Sequence, residues 1–188
     1  MAIKPLPPEA KKVFQGKMFA VWQWEQTLFD GSQTTFERIS RPDYAYVIGI
    51  LPDQQILLIE DEQPDRDPVI TPAGGKVDAG ETPAAAALRE FKEETGYSST
   101  ELTHFVSYRP HSKIEMQVHG FIARECTKTA EPQLEAGERV TPLILTFEAF
   151  LELGHNPTFR DDKLRIQLLE ALIDPTKKKV LHELLYAR

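Results

Sequence analysis

Cysteine is nearly absent from these 188 residues: Cys126 stands alone. An intrachain disulfide is therefore excluded, and a reducing compartment is the natural setting. No apolar run approaches the roughly eighteen residues that a membrane-spanning helix needs. The opening MAIKPLPPEAKK carries no apolar stretch of the kind a secretion signal requires, so a cytoplasmic location and no membrane partner are expected. Positive charge is also scarce. Lys and Arg number 22 against 29 Asp and Glu, a net charge of −7, which argues against nonspecific binding to nucleic acid or anionic lipid. His104, His111 and His119 do not fall at zinc-binding spacing and read as polar-face residues. No internal repeat or low-complexity tract occurs. What remains is a 41% hydrophobic, 27% charged globular composition, long enough for one core and short for two domains.

The informative stretch is residues 75–97, GKVDAGETPAAAALREFKEETGY. It sets Gly75, Glu81, Arg89, Glu90, Glu93, Glu94 and Gly96 at fixed spacing, a coincidence expected on the order of once in 10⁸ starting positions. Thr82 suits a helix N-cap, Pro83 its first position, Ala84 to Leu88 its body, and Gly96 its end. On that helix Glu90 lies one turn from both Glu93 and Glu94, so the three carboxylates share a side. Each like-charge pair costs roughly 0.2–0.5 kcal/mol, and acids near a helix C-terminus oppose the dipole by about 0.3–1 kcal/mol each. Arg89, four residues before Glu93, offsets part of this. The remainder asks for a cation, and hard oxygen donors suit Mg²⁺, or Mn²⁺, better than zinc. A solvated acidic helix face is the plainer alternative. Against it stand the two caps and the glycine-rich Ala73-Gly74-Gly75 in front, preceded by a short strand over Asp67 to Thr71.

This stretch resembles the signature box of the Nudix hydrolases, which cleave nucleoside diphosphates linked to another moiety. Every charged and glycine position of the box is kept, while Phe91 and Tyr97 replace the usual aliphatic residues at packing positions. The resemblance implies Glu90 and Glu94 as principal metal ligands, Glu93 in support and the Gly74 carbonyl completing the set. It implies structural roles for Gly75, Glu81, Arg89 and Gly96. The group acting on ADP-ribose and nucleotide sugars is the best fit. Its members often take their general base from a late loop, where this chain has Glu138 as first candidate and Glu135 as second; a box glutamate is the alternative. They also carry a proline and a later glutamate downstream of the box. Here Pro110 and Glu115 fill those places, with His111 where glycine is usual. On a polar strand face Glu115 would approach the metals, or else form a cross-strand ion pair. Arg38, Arg41 and Arg66 are candidates to grip the diphosphate, because the planar guanidinium fork suits phosphate oxygens.

Elsewhere the patterning is mostly of strands. Residues 1–16, with Pro5, Pro7 and Pro8, are expected to be extended, and the rest, 17–188, to form one domain. An antiparallel hairpin over 17–41 turns at Asp30-Gly31, and the resemblance makes it a homodimerisation region. Trp22 and Trp24, on one side of its first strand, suit an interface or a core wall better than a nucleotide base. Strands follow at Tyr44–Leu51, Ile56–Ile59, Leu102–Tyr108, Ile114–Ala123 and 139–145, and helices after Thr146, over Leu164–Ile173 and over Lys177–Leu185. This order implies an α+β fold with a mixed sheet covered by helices, and the resemblance makes it an α/β/α sandwich with an added N-terminal antiparallel region. The expected reaction is Mg²⁺-dependent attack of water on one phosphorus of ADP-ribose or a nucleotide sugar, releasing a nucleoside monophosphate and a sugar phosphate. Rival substrates are nucleoside triphosphates and dinucleoside polyphosphates. A non-catalytic ligand-sensing module is the rival of another class, disfavoured because all three acids remain and no basic recognition helix follows.

Overall fold

The computed structural model describes residues 4–134 and 136–187. Its first sheet begins with three antiparallel strands, β1 (Lys11–Gln15), β2 (Ala20–Thr27) and β3 (Gln33–Ser40), and gains a short parallel strand on β3 from later in the chain. Residues 11–15 thus form a paired strand, although the prolines before them suggested only an extended segment. The Asp30-Gly31 turn closes β2 onto β3, with Gly31 at φ 84 and Asp30 Oδ1 accepting from the Ser32 amide.

The second sheet holds β4 (Tyr44–Ile50), β5 (Ile56–Gln63), β6 (Arg66–Thr71) and β7 (Ala73–Lys76). The box helix α1 (Pro83–Thr95) follows. Next come β8 (Tyr97–Ser98), β9 (Glu101–Tyr108), β10 (Ile114–Glu115), β11 (Val118–Arg124), β12 (Thr127–Lys128) and β13 (Arg139–Leu145). Helices α2 (Phe147–Glu152), α3 (Asp162–Ile173) and α4 (Pro175–Tyr186) complete the chain. The large sheet runs β13-β5-β4-β11-β9, with β6 on β5 and β7 on β4; β8 and β12 form a small ribbon. Among the described residues only β4 and β11 run parallel within the large sheet, so it is mixed.

Two details depart from the sequence reading. The single strand expected over Ile114–Ala123 is two strands in different sheets. β10 pairs with β3, whereas β11 pairs with β4 and β9. The chain crosses between sheets at Met116 and Gln117, where the Gln117 amide donates to Asp43 Oδ1 at 2.7 Å. The glycine-rich stretch Ala73-Gly74-Gly75 lies in the strand β7 and not in a loop. Its glycines lie so close to β4 that a Cβ on Gly74 would sit 2.3 Å from the Ala45 carbonyl oxygen.

Alternating residues of the large sheet face opposite layers. Tyr46, Ile48, Ile50, Ile56 and Leu58 pack under α2, α3 and α4, with Phe150, Leu164, Leu168 and Leu185 above them. Ala45, Val47, Leu57 and Ile59 pack under α1, with Ala86, Ala87 and Phe91. The result is an α+β fold, a mixed sheet between a single helix on one face and three on the other.

Candidate active site

Helix α1 begins as its sequence dictates. Thr82 Oγ1 accepts from the Ala85 amide at 3.2 Å, Pro83 opens the first turn, and Gly96 closes the helix at φ 76 with its amide on the Lys92 carbonyl. The helix packs on β7, β4 and β13, which aims its acidic side at the glycine strand.

Glu94 is 8% exposed, and its Oε2 accepts from the Gly74 amide at 2.7 Å. Burial pushes this carboxyl up to about 9, against the opposing effect of that amide, while the charges of Glu90, Glu138 and Asp61 add to the rise. Glu90 is raised too, chiefly by burial, with Glu93 and Glu138 adding and Arg89 opposing. Its carboxylate fills the space a side chain at Gly75 would need, since a Cβ there would lie 2.3 Å from Glu90 Oε1. Glu93 is more open, at 43% side-chain exposure.

Arg89 organises the cluster. It donates to Glu81 through Nε and Nη2 at 3.1 and 3.0 Å, and to the Lys76 carbonyl at 3.2 Å. Its Nη1 reaches Glu90 Oε1 at 2.8 Å and Glu93 Oε2 at 3.1 Å. One guanidinium thereby ties the end of β7, the approach to α1 and two of its acids together. Glu81 lies below the usual carboxylate range because Arg89 bonds it.

Among the described residues, no three acidic, histidine or cysteine side chains already form a ready metal cage. Glu93 leans on Arg89 and Glu94 on Gly74. The donor set nonetheless fits a hard divalent ion. It offers three carboxylates and a peptide carbonyl, and two of the acids are held where burial disfavours their charge unless a cation compensates.

The NUDIX domain family matches residues 40–164, which includes the whole of this site. The chain belongs to the NUDIX family. It is a Nudix hydrolase, and similar proteins extend over most of its length. The ADP-ribose pyrophosphatase of Bacillus subtilis (strain 168) is 28% identical over 170 residues, covering 86% of this chain and 92% of that protein. The methanol dehydrogenase activator of Bacillus methanolicus is 26% identical, covering 87% and 93% respectively. A solved structure described as an ADP compounds hydrolase superposes with a TM-score of 0.71 at 19% identity, covering 90% of this chain and 94% of that one, and shows the shared fold.

The other candidate residues of this Nudix hydrolase separate into two groups. Glu138, half-buried just before β13, lies near enough for its charge to act on both Glu90 and Glu94. Glu135 lies outside the described residues. Arg66 pairs with Asp61, whose charge reaches Glu94, and its buried Nη1 has no hydrogen-bond partner among the described residues. Away from the box helix, Glu115 is committed to two guanidinium groups. It accepts from Arg38 at 3.0 Å and from both terminal nitrogens of Arg109. Of the two readings of Glu115, the structure shows the ion pair, on a strand β10 that belongs to the N-terminal sheet. Arg38 also donates to the Lys4 carbonyl and lies over the Trp24 ring at 5.6 Å, and Arg41 lies 5.8 Å from the Phe19 ring.

Tyr44, Asp61 and Arg160 were not singled out in the sequence. Tyr44 Oη donates to the Gly74 carbonyl at 2.8 Å. Burial raises its phenol far above the ordinary range, with the charges of Glu94, Asp61 and Glu90 adding and Arg160 opposing. Tyr44 opens an apolar run and reads as core; Asp61 and Arg160 sit in segments whose pattern marks only a strand and a turn.

Proposed function

We propose that this Nudix hydrolase cleaves the pyrophosphate bond of ADP-ribose or a similar nucleoside diphosphate sugar in a Mg²⁺-dependent reaction, with Mn²⁺ as a substitute. The observation that carries the reading is the set of acids, Glu90, Glu93 and Glu94, held against the glycine strand by Arg89 and the Gly74 amide. Similarity to an ADP-ribose pyrophosphatase across 92% of that protein supports the substrate class. Glu90, Glu94, Glu93 and the Gly74 carbonyl would hold the ion. When bound, such an ion neutralises phosphoryl oxygens and eases ionisation of water.

The chain's own groups supply the remaining work. Arg66, with a buried donor left over, is suited to a phosphoryl oxygen of the substrate. Glu138 is suited to accept the proton of the attacking water, since it lies beside the acids without belonging to their helix. The new P–O bond to water replaces the bridging P–O bond, giving a nucleoside monophosphate and a sugar phosphate. Arg41, just after β3 with a buried Nε that has no hydrogen-bond partner among the described residues, is a further candidate to grip the diphosphate, as is Arg38 if it leaves Glu115. We further propose a homodimer formed through that sheet and a cytoplasmic location, supported respectively by its exposed apolar row and by the lone cysteine.

A panel of nucleotide sugars, nucleoside triphosphates and dinucleoside polyphosphates, each incubated with Mg²⁺, tests the reading. ADP-ribose is expected to give AMP and ribose phosphate at the highest kcat/KM. A preference for a nucleoside triphosphate would overturn the substrate assignment.

A further inference from the structure

We infer that Tyr44 is a positioning residue that fixes the orientation of the Gly74 carbonyl and thereby sets the affinity of the site for its divalent ion. The inference rests on the metal-dependent reading above and concerns a residue on the opposite face of the sheet from the acids. The peptide unit between Gly74 and Gly75 is flanked by two glycines, so nothing intrinsic to the chain resists its rotation. A side chain at Gly74 is blocked by backbone, and one at Gly75 would displace an acid of the site. A Cβ on Gly74 would meet Ala45 O at 2.3 Å and Tyr46 Cα at 2.6 Å, and one on Gly75 would meet the Glu90 carboxylate.

The orientation is therefore set by contacts: the pairing of β7 with β4, which places Gly75 opposite Ala45, and the phenol of Tyr44, which alone among the described side chains bonds the Gly74 carbonyl. Tyr44 Oη donates to the Gly74 carbonyl at 2.8 Å, while the amide of the same residue donates to Glu94 Oε2 at 2.7 Å. A carbonyl oxygen has two lone pairs, so the phenol occupies one and leaves the other for a cation. The phenol itself is well anchored. Its ring packs against the cluster beneath the three-helix layer, and its backbone is paired with Lys76 in β7 and with Val118 in β11. Next to it, the Asp43 carbonyl accepts the Val77 amide at 2.8 Å. Tyr44→Phe keeps the ring, its packing and the strand register, and removes only the hydroxyl.

The test measures Mn²⁺ binding to the full chain by the electron paramagnetic resonance of free Mn²⁺, for the wild type, Tyr44→Phe and Glu94→Gln, alongside turnover and metal-free thermal melting. The expected result is loss of binding in Glu94→Gln and an affinity about three- to tenfold weaker in Tyr44→Phe, the scale of one hydrogen bond. The metal-free melting of Tyr44→Phe should match the wild type to within ~3 °C, and its kcat at saturating Mn²⁺ should return to within about twofold of wild type. Wild-type Mn²⁺ affinity in Tyr44→Phe, with Glu94→Gln still deficient, overturns the role of Tyr44 and leaves the metal-dependent reading standing. A kcat that stays depressed at saturating Mn²⁺ with unchanged affinity overturns it as well. Failure of the wild type to bind Mn²⁺ removes the reading itself, and the inference with it.

Discussion

A carboxyl placed where its charge is disfavoured either keeps its proton or gains a counter-cation, and Glu94 shows the choice most sharply. It is 8% exposed, accepts one backbone amide, and is pushed up to about 9 by burial. Glu94→Gln keeps the shape and the acceptor for Gly74 but removes the charge. We expect kcat to fall about 10²-fold or more, the scale seen when a key electrostatic group is removed from an active site. The thermal midpoint should hold or rise, because a buried ionisable group has become a neutral amide. Near-normal turnover would remove Glu94 from the ligand set. Cys126 makes an opposite case, a buried titratable group without a role in the site. It is 1% exposed, its Sγ lies 3.2 Å from the Ala123 carbonyl, and burial pushes its thiol up to about 11. It should therefore resist a thiol reagent at neutral pH until the protein is unfolded. The sign of the linkage follows from the raised value. Below the ordinary thiol range both states hold the proton and the contribution is complete. As pH climbs toward 11 only the unfolded thiol ionises, and stability falls. Urea midpoints at neutral and alkaline pH should diverge more for the wild type than for Cys126→Ala.

At the scale of elements, α1 and β7 act as one device. Gly75→Ala drives a methyl into the Glu90 carboxylate. We expect a loss of about 1–3 kcal/mol in urea unfolding, together with loss of turnover as Glu90 is displaced. Thr82→Ala should cost only about 1 kcal/mol, through the lost bond to the Ala85 amide, and should leave kcat unchanged. A larger effect of Thr82→Ala on kcat than on stability would mean that the helix start positions the acids directly. The box was legible in the sequence because its signals are local: cap, proline, alanines and terminal glycine all act within one helix. β7 was not, since glycine disfavours strands and the advantage of glycine here is a close approach to β4 that no local pattern encodes. The break between β10 and β11 was hidden for a related reason. Apolar and polar residues keep alternating across Met116 and Gln117, while the sheet they serve changes. The continuity left two readings of Glu115 open, toward the metals or in an ion pair, and its partners Arg38 and Arg109 come from β3 and from the residue after β9.

For the whole molecule, the N-terminal sheet poses the remaining physical problem. Register places Phe14 opposite Val21, Val21 opposite Ile39 and Ile39 opposite Ile114, a single row crossing one face. Phe14 is 57% exposed and Ile39 42%, and Phe19, just before β2, is 45% exposed. The other face is satisfied within the chain. Trp24 is buried there against Phe36 and beneath Arg38, whose ion pair with Glu115 fastens β3 to β10. An apolar row on an exposed sheet, beside a face already filled, is consistent with the homodimer proposed above. A large apolar side chain contributes roughly 1.5–3 kcal/mol on full burial, so two such side chains removed from each subunit should cost more than a moderate dimer can lose. Light scattering coupled to size exclusion should accordingly give a dimer mass for the wild type and a monomer mass for the double variant Phe14→Ser, Ile39→Ser. Because Gly74, Glu90, Glu93 and Glu94 come from one chain, the monomeric variant should still bind Mn²⁺ as the dimer does. A wild type that runs as a monomer at micromolar concentration would leave the exposed row without this explanation, and loss of Mn²⁺ binding in a folded monomer would show that the acids depend on the neighbouring subunit.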